Sequence, residues 1–189
     1  MLTPQESLDR LADLLARALR HGADAADAVL VVDQSVSASV RLGELEDLGR
    51  SEGQDLGLRV FVGQQHASVS TSDFSGDALE RTAERAVAMA RFAPPDAFAG
   101  LADPALLAQA PFPELDLCDP GEPSAETLRA LALEAEEAAR AVPGVTNSEG
   151  GSAGAAHGLI ALATSTGFAG SYRSSSFNVS ASVVAGEGT

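Results

Sequence analysis

Apolar and mixed residues alternate between positions 55 and 72, and this pattern limits the possible folds. Every second residue from Leu56 to Val62 is apolar, a polar turn follows at residues 63–66, and the alternation resumes from Ala67 to Thr71. This pattern predicts an antiparallel β-hairpin with one face committed to a core. The rest of the chain has to be placed around that sheet.

The first residues of the chain predict an amphipathic helix over residues 3–21. Thr3 and Glu6 form a capping-box pattern around Pro4, and leucines then recur at helical spacing. His21 occupies the last turn, where a histidine usually interacts with the helix dipole, so a ligand role for it is the minor alternative.

Two strands are predicted between this helix and the hairpin, over residues 28–32 and 36–42, with Asp33 and Gln34 between them. Residues 44–48 (Glu-Leu-Glu-Asp-Leu) continue as an edge strand or form a turn. Their paired carboxylates suggest acid/base or metal chemistry. We favour a solvated strand face, because the formal net charge of the chain is −15.

A second helix is predicted from Ser75 to Phe92, since the prolines that follow cannot extend it. Seven of the nine prolines lie in residues 94–123, which indicates an extended connector with a short helical turn at residues 106–107. The predicted organisation is an amino-terminal α/β unit (1–93), this connector, and a unit of one helix plus strands (124–189). The last unit continues the same sheet or leads into a truncated carboxyl-terminal domain.

The last unit begins with a third helix capped by Ser124. Strands are predicted over residues 159–163 and 177–183, with a turn at Thr166 and Gly167. The third helix has an apolar stripe, and its other residues are predicted to point outward, among them Glu134, Glu136, Glu137 and Arg140. Three glycines weakly resemble a phosphate cradle, namely Gly150, Gly151 and Gly154.

Residues able to perform catalysis are scattered. His21, His66 and His157 lie on different predicted elements, and no HExxH pair occurs. Cys118 has no neighbouring His or Arg to activate its thiol. All twelve basic residues are arginine, so lysine-dependent Schiff-base and P-loop chemistry is excluded in this segment. We therefore predict no catalytic, cofactor-binding or metal-binding residue here.

The net charge and the cysteine content limit which binding partners and which cell compartment are expected. A net charge of −15 repels a phosphate backbone, so direct nucleic-acid binding is not expected. A single cysteine fits a reducing compartment. The sequence has neither a signal-peptide pattern nor an apolar run of about 20 residues. We expect a cytoplasmic protein with no membrane contact.

These patterns together predict an α+β (mixed α/β) fold in which a largely antiparallel sheet packs against amphipathic helices. Three longer stretches also resemble the amino-terminal part of the TldD/PmbA family, and in particular its PmbA (TldE) branch. They are residues 57–75 (GLRVFVGQQHASVSTSDFS), 80–96 (ERTAERAVAMARFAPPD) and 161–189 (ALATSTGFAGSYRSSSFNVSASVVAGEGT). The resemblance rests on extended pattern and covers nearly the whole chain.

The resemblance implies a subunit of a cytoplasmic metalloprotease complex that processes peptides. In such heterodimers the TldD-like subunit carries a zinc-binding HExxxH-type motif and the TldE-like subunit lacks it. The resemblance thus implies a noncatalytic scaffold that binds a partner or substrate, either with a TldD-like subunit or as a homodimer, and zinc is expected on the TldD-like partner. The alternative is a protein-binding modulator of DNA gyrase without a peptidase role, as older naming in the family suggests.

Overall fold

The computed structural model describes residues 2–187, which form three α-helices and a five-stranded sheet of order β3-β2-β1-β4-β5. This confirms the predicted α+β class. The helices are α1 (Pro4–Arg20), α2 (Gly76–Phe92) and α3 (Ala125–Arg140), and a short 3-10 helix spans Pro104–Leu106. The strands are β1 (Ala25–Arg41), β2 (Glu44–Val62), β3 (Gln65–Thr71), β4 (Val145–Thr164) and β5 (Ala169–Ala185).

The predicted hairpin is formed by β2 and β3. The two strands pair antiparallel, from Leu56 opposite Thr71 to Val62 opposite Gln65. The turn is shorter than expected and contains only Gly63 and Gln64, because Gln65 and His66 already pair in the ladder. Gly63 has a φ of +58°, a backbone conformation that suits glycine in a two-residue hairpin turn.

The helix termini follow the sequence signals. At the start of α1, the Thr3 side chain accepts a hydrogen bond from the Glu6 backbone, and the Glu6 carboxylate accepts one from the Thr3 backbone. Ser75 and Ser124 cap α2 and α3 by accepting hydrogen bonds from the third residue beyond them. Each such cap contributes on the order of 1 kcal/mol to helix stability.

The prediction of two separate strands over residues 28–32 and 36–42 is wrong, because β1 is continuous from Ala25 to Arg41. The buried residues keep even numbers on both sides of Asp33, from Ala26 to Val32 and again from Val36 to Val40. Asp33 has an odd number and is exposed. A polar residue at an exposed position of the alternation therefore leaves the strand unbroken.

The other strands are also longer than predicted. The expected strand at residues 159–163 is the end of β4, and the one at residues 177–183 is the second half of β5. The acidic stretch at residues 44–48 is the start of β2, which favours the edge-strand alternative over the turn. Small and polar residues conceal these extensions, because strand patterns are recognised mainly by their large apolar side chains.

The described residues divide into two compact units through which the long strands pass. Unit 1 comprises residues 2–32, 53–115 and 159–173, and unit 2 comprises residues 33–52, 116–158 and 174–187. The units interleave along the chain, and the predicted organisation with boundaries at residues 93 and 123 stays a prediction.

Each unit has its own core. In unit 1, α1 and α2 bury leucines and alanines with the even-numbered residues of β1 and β2; Leu11, Leu14 and Leu30 are fully buried. Burying one such leucine stabilises the fold by about 1.5–3 kcal/mol. The smaller core of unit 2 joins α3 to β1 and β4, and consists of Val36, Ala38, Val40, Leu128, Ala132, Ala153 and Ala155. Among residues 2–187, every helix is too short or too polar to cross a membrane.

Candidate functional site

The three histidines that sequence analysis considered as ligands have three separate environments. His21 caps α1 and places Nε2 2.8 Å from Glu80 Oε1. His66 on β3 lies against Phe61 with the ring centroids 6.0 Å apart, and His157 on β4 meets the Phe177 ring edge-on at 6.1 Å. Both contacts are aromatic ring pairs of a kind that stabilises a fold.

His21 belongs to an ion cluster that joins α1 to α2. Arg17 lies between two carboxylates, with Nη1 2.6 Å from Glu80 Oε2 and Nε 2.9 Å from Asp13 Oδ2. The hydrogen bond from His21, followed by that from Arg17, lowers the pKa of Glu80. The cluster connects two helices, and its acidic and basic groups already satisfy each other.

The part of the chain between residues 2 and 187 has no group of three or more His, Cys, Asp or Glu side chains placed to hold a metal ion. Cys118 lies in the connector, with its sulfur 3.8 Å from the Asp119 carbonyl oxygen. Glu44, Glu46 and Asp47 are exposed residues of β2, as the interpretation of a solvated strand face predicts.

The interpretation of Gly150, Gly151 and Gly154 as a phosphate cradle is wrong. All three lie within β4, and a side chain at each would meet neighbouring atoms rather than open space. A Cβ on Gly150 would lie 2.5 Å from the Val40 carbonyl oxygen, and one on Gly151 would overlap the Ala132 carbonyl oxygen. These glycines let the backbones of β1 and α3 approach β4 closely.

Glu136 on α3, predicted to point outward, is instead only 1% exposed. Its Oε1 accepts hydrogen bonds from the Leu42 amide at 2.7 Å and the Ser148 hydroxyl at 2.5 Å, and its Oε2 accepts one from the Gly43 amide at 3.0 Å. Burial alone raises the pKa of Glu136, but the bonds from Ser148, Gly43 and Leu42 outweigh it and the net shift is downward.

This carboxylate secures the turn between β1 and β2. Leu42 and Gly43 form that turn with φ values of +51° and +88°, and the amide groups of both residues donate to this carboxylate. The signal for burial was present in the sequence, since Glu136 follows Leu128 and Ala132 at intervals of four residues. The local pattern alone favours an outward position, because a carboxylate is rarely buried without partners and these partners are remote in sequence.

The amino-terminal half of β2 forms an edge of the sheet in unit 2. Pairing with β3 begins only at Leu56, so residues 44–52 have β1 on one side and no strand on the other among residues 2–187. We call residues 44–52 the free edge. Eight of its nine residues are exposed, and Gly49 is half-buried. Unpaired main-chain groups on such an edge can accept another strand.

A groove of about 390 Å³ lies beside the free edge in unit 2. Its walls are Val36, Leu48 and Gly49 on the strands, Arg50 and Glu122 at one side, and Pro123 to Ala125 at the start of α3. Arg50 donates to Glu52 at 3.0 Å and to Glu122 at 3.1 Å. The groove therefore has an apolar wall. The one cationic side chain at its rim, Arg50, is neutralised by these two glutamates.

Two models of one protein family match most of the chain. Residues 26–90 match the family model described as PmbA/TldA metallopeptidase domain 1, and residues 118–189 match the PmbA/TldA metallopeptidase central domain. The two matches together cover more than two thirds of the chain. The chain therefore belongs to the PmbA/TldD metallopeptidase family, as the resemblance implied.

Individual relatives agree with this assignment. The chain is 37% identical over 170 residues to the metalloprotease PmbA homolog of Haemophilus influenzae, a match that covers 89% of this chain and 37% of that protein. Among solved structures, a putative modulator of DNA gyrase from Bacteroides thetaiotaomicron superposes with a TM-score of 0.89 at 23% identity, covering 100% of this chain and 43% of that one. TldE from Thermococcus kodakarensis superposes with a TM-score of 0.76 at 18% identity, covering 95% and 40%.

The chain thus spans little more than a third of the length of the PmbA homolog. The two solved structures share the fold of this chain. At identities of 23% and 18%, they show the fold alone.

Proposed function

We propose that this chain belongs to a PmbA/TldE-like subunit of a peptide-processing metallopeptidase complex, in which it is noncatalytic and holds a partner subunit or a peptide. The observation that carries the proposal is the match to the first and central domains of the metallopeptidase family. The proposal includes a cytoplasmic location and assembly either with a TldD-like subunit or as a homodimer.

The proposal assigns zinc to the TldD-like partner. The residues described here do not fit a zinc site, since His21, His66 and His157 contact Glu80, Phe61 and Phe177 respectively. A catalytic zinc site needs about three protein ligands converging on one point. The role proposed for this segment is to bind and position a polypeptide, and free strand edges suit that role because they offer main-chain hydrogen bonds to any extended chain.

The test uses the full-length protein with and without a TldD-like partner. We expect cleavage of an unfolded peptide only when both subunits are present, and we expect a chelator to abolish it. Peptide cleavage by this subunit alone that survives the chelator would contradict the noncatalytic role. Size-exclusion chromatography of the mixture measures whether the two subunits assemble.

The second candidate is a protein that regulates DNA gyrase through protein contacts. It is favoured by the strongly acidic composition and by the name of the Bacteroides structure, a putative modulator of DNA gyrase. An acidic surface can bind the basic DNA-binding surface of such an enzyme. Salt-sensitive capture of purified gyrase by the protein, with no cleavage of peptides in the presence of a TldD-like subunit, would select this candidate.

A further inference from the structure

We propose that the free edge of β2 and its adjacent groove form a docking surface for an extended, positively charged polypeptide segment. The segment would pair with residues 44–52 through its main chain and place one apolar side chain in the groove. The inference rests on the proposed function, because it names the chemistry of the polypeptide that the subunit holds.

The main chain of the free edge is available for pairing. In unit 2, β1 covers one side of residues 44–52, while β3 begins to pair only beyond them, at Leu56. Both Leu45 and Leu48 remain about half exposed, at 45% and 52%. A nine-residue edge is long enough for an added strand of ordinary length, which is about five or six residues.

The groove gives the surface a side-chain pocket. Its apolar wall consists of Val36, Leu48, Pro123 and Ala125. Gly49 leaves room for the Ser37 side chain of β1, since a Cβ there would lie 2.9 Å from Ser37 Oγ. Peptides that add a strand to a sheet gain affinity from main-chain pairing and specificity from pockets of this kind.

The acidic residues of the free edge favour a positively charged peptide. The free edge has four acidic residues, Glu44, Glu46, Asp47 and Glu52, and one cation, Arg50. Arg50 is paired with Glu52 and Glu122, whereas Glu44, Glu46 and Asp47 have no salt-bridge partner in the part of the chain that the structure describes. The opposite edge strand, β5, has a single charged residue, Arg173. Lysine or arginine side chains on a bound strand would neutralise the excess at the β2 edge.

Acidic residues on an edge strand also have a simpler role, which is to prevent unwanted pairing between sheets. The two roles predict different binding of a cationic peptide. A surface that only prevents pairing repels an acidic peptide and gains nothing specific from a basic one, whereas a docking surface binds the basic peptide through both charge and main chain.

The experiment measures binding of fluorescein-labelled peptides to the full-length protein by fluorescence anisotropy, without a protease partner. The main probe has lysine at alternate positions around a central leucine, and the reference probe has glutamate instead of lysine. We expect the lysine probe to bind and the glutamate probe not to bind. Two further versions of the lysine probe carry N-methyl groups at alternate backbone positions, one version in each of the two possible phases. Binding should be abolished in the version whose methylated positions face β2.

The protein variants separate local charge from net charge. Replacing Glu46→Arg and Asp47→Arg together should weaken binding of the lysine probe roughly tenfold at low salt, since each replacement turns an attraction for a lysine of the probe into a repulsion. The matched control replaces Glu84→Arg and Glu134→Arg, which are exposed helical residues with the same total charge change. We expect the control to keep most of the affinity, and circular dichroism should show that both variants are folded.

Absence of binding, equal losses in the two double variants, or full binding by both N-methylated probes would overturn the inference. Failure of the proposed function has a different signature. If the lysine probe binds as expected but peptide cleavage with a TldD-like partner never occurs, the docking surface stands and the peptidase role fails. If cleavage occurs and the probe does not bind, only the docking inference fails.

Discussion

Replacing Glu136→Gln is the most direct test of how the β1–β2 turn is held. The carboxylate accepts three hydrogen bonds, from the Leu42 and Gly43 amide groups and from the Ser148 hydroxyl. Glutamine has nearly the same shape, but its amide nitrogen donates. In either orientation of the amide, that nitrogen faces at least one donor of the turn, and the charge that strengthens the other bonds is lost.

The expected magnitude follows from these contacts. In the better orientation, the glutamine oxygen still accepts the hydrogen bonds from the Leu42 amide and the Ser148 hydroxyl. The glutamine nitrogen then faces the Gly43 amide, and both groups are donors. An unsatisfied buried donor costs about 1–3 kcal/mol, and bonds to a charged acceptor exceed neutral ones by about 1 kcal/mol. Because the turn residues themselves are exposed and water can reach part of their backbone, we expect a loss of about 2–3 kcal/mol in the free energy of unfolding.

Urea denaturation followed by circular dichroism measures this loss, and hydrogen exchange at the Leu42 and Gly43 amides measures its local part. The control is Glu137→Gln, an exposed neighbour on the same helix, which should change stability by no more than about 0.5 kcal/mol. A Glu136→Gln protein as stable as the control, with unchanged protection at both amides, would refute the assignment of these bonds as the support of the turn.

The pH dependence provides a second measurement on the same variant. The hydrogen bonds hold the pKa of Glu136 below its ordinary value in the folded protein. The stability that the carboxylate contributes is therefore fully present above the ordinary pKa of glutamate and is lost as the pH falls through the lowered folded value. The difference in unfolding free energy between the wild type and Glu136→Gln should be constant near neutral pH and should shrink in acid. A difference that grows as the pH falls would contradict the direction of the shift.

Two further changes test other contacts. Gly151→Ala places a Cβ against the Ala132 carbonyl oxygen and 3.1 Å from the Glu136 Cβ, and should destabilise the protein by about 1–3 kcal/mol in urea; Gly76→Ala, where no atom lies within 4 Å of the new Cβ, is the control and should be neutral. Glu80→Gln removes the charge that His21 and Arg17 share and should lower the melting temperature at neutral pH, an effect that high salt reduces. Because the pKa of Glu80 is lowered in the fold, the effect should also fade in acid, and a loss that is independent of salt and pH would exclude an electrostatic cause.

Local signals predicted the parts of the fold that depend on neighbours in sequence. The capping box at Thr3 and Glu6, the caps at Ser75 and Ser124, and the hairpin of β2 and β3 each involve residues within a few positions of one another. Strand length was less predictable. The prediction treated Asp33 as a break, whereas its odd number places it at an exposed position of a continuous alternation.

The predictions were wrong for residues whose environment depends on partners far away in the sequence. Glu136 depends on amide groups some 93 residues earlier in the chain, and Gly150 on the backbone of Val40. A glutamate on a helix and a glycine in a serine-rich stretch have ordinary local explanations, an outward side chain and a flexible loop. Only the packing of α3, β1 and β4 in unit 2 replaces those explanations with burial and close backbone approach.

The same distinction applies to function. Catalytic chemistry leaves signals in single residues and short motifs, whereas binding by a strand edge uses the backbone, which every sequence possesses. The sequence shows the acidic stretch at residues 44–48, but its significance depends on where β3 begins to pair, at Leu56, and on a groove completed by Pro123 and Ala125. Neither condition is local. An acidic strand edge becomes a candidate docking surface only when the structure leaves its main chain uncovered beside an apolar groove, and the peptide-binding measurements above test that combination directly.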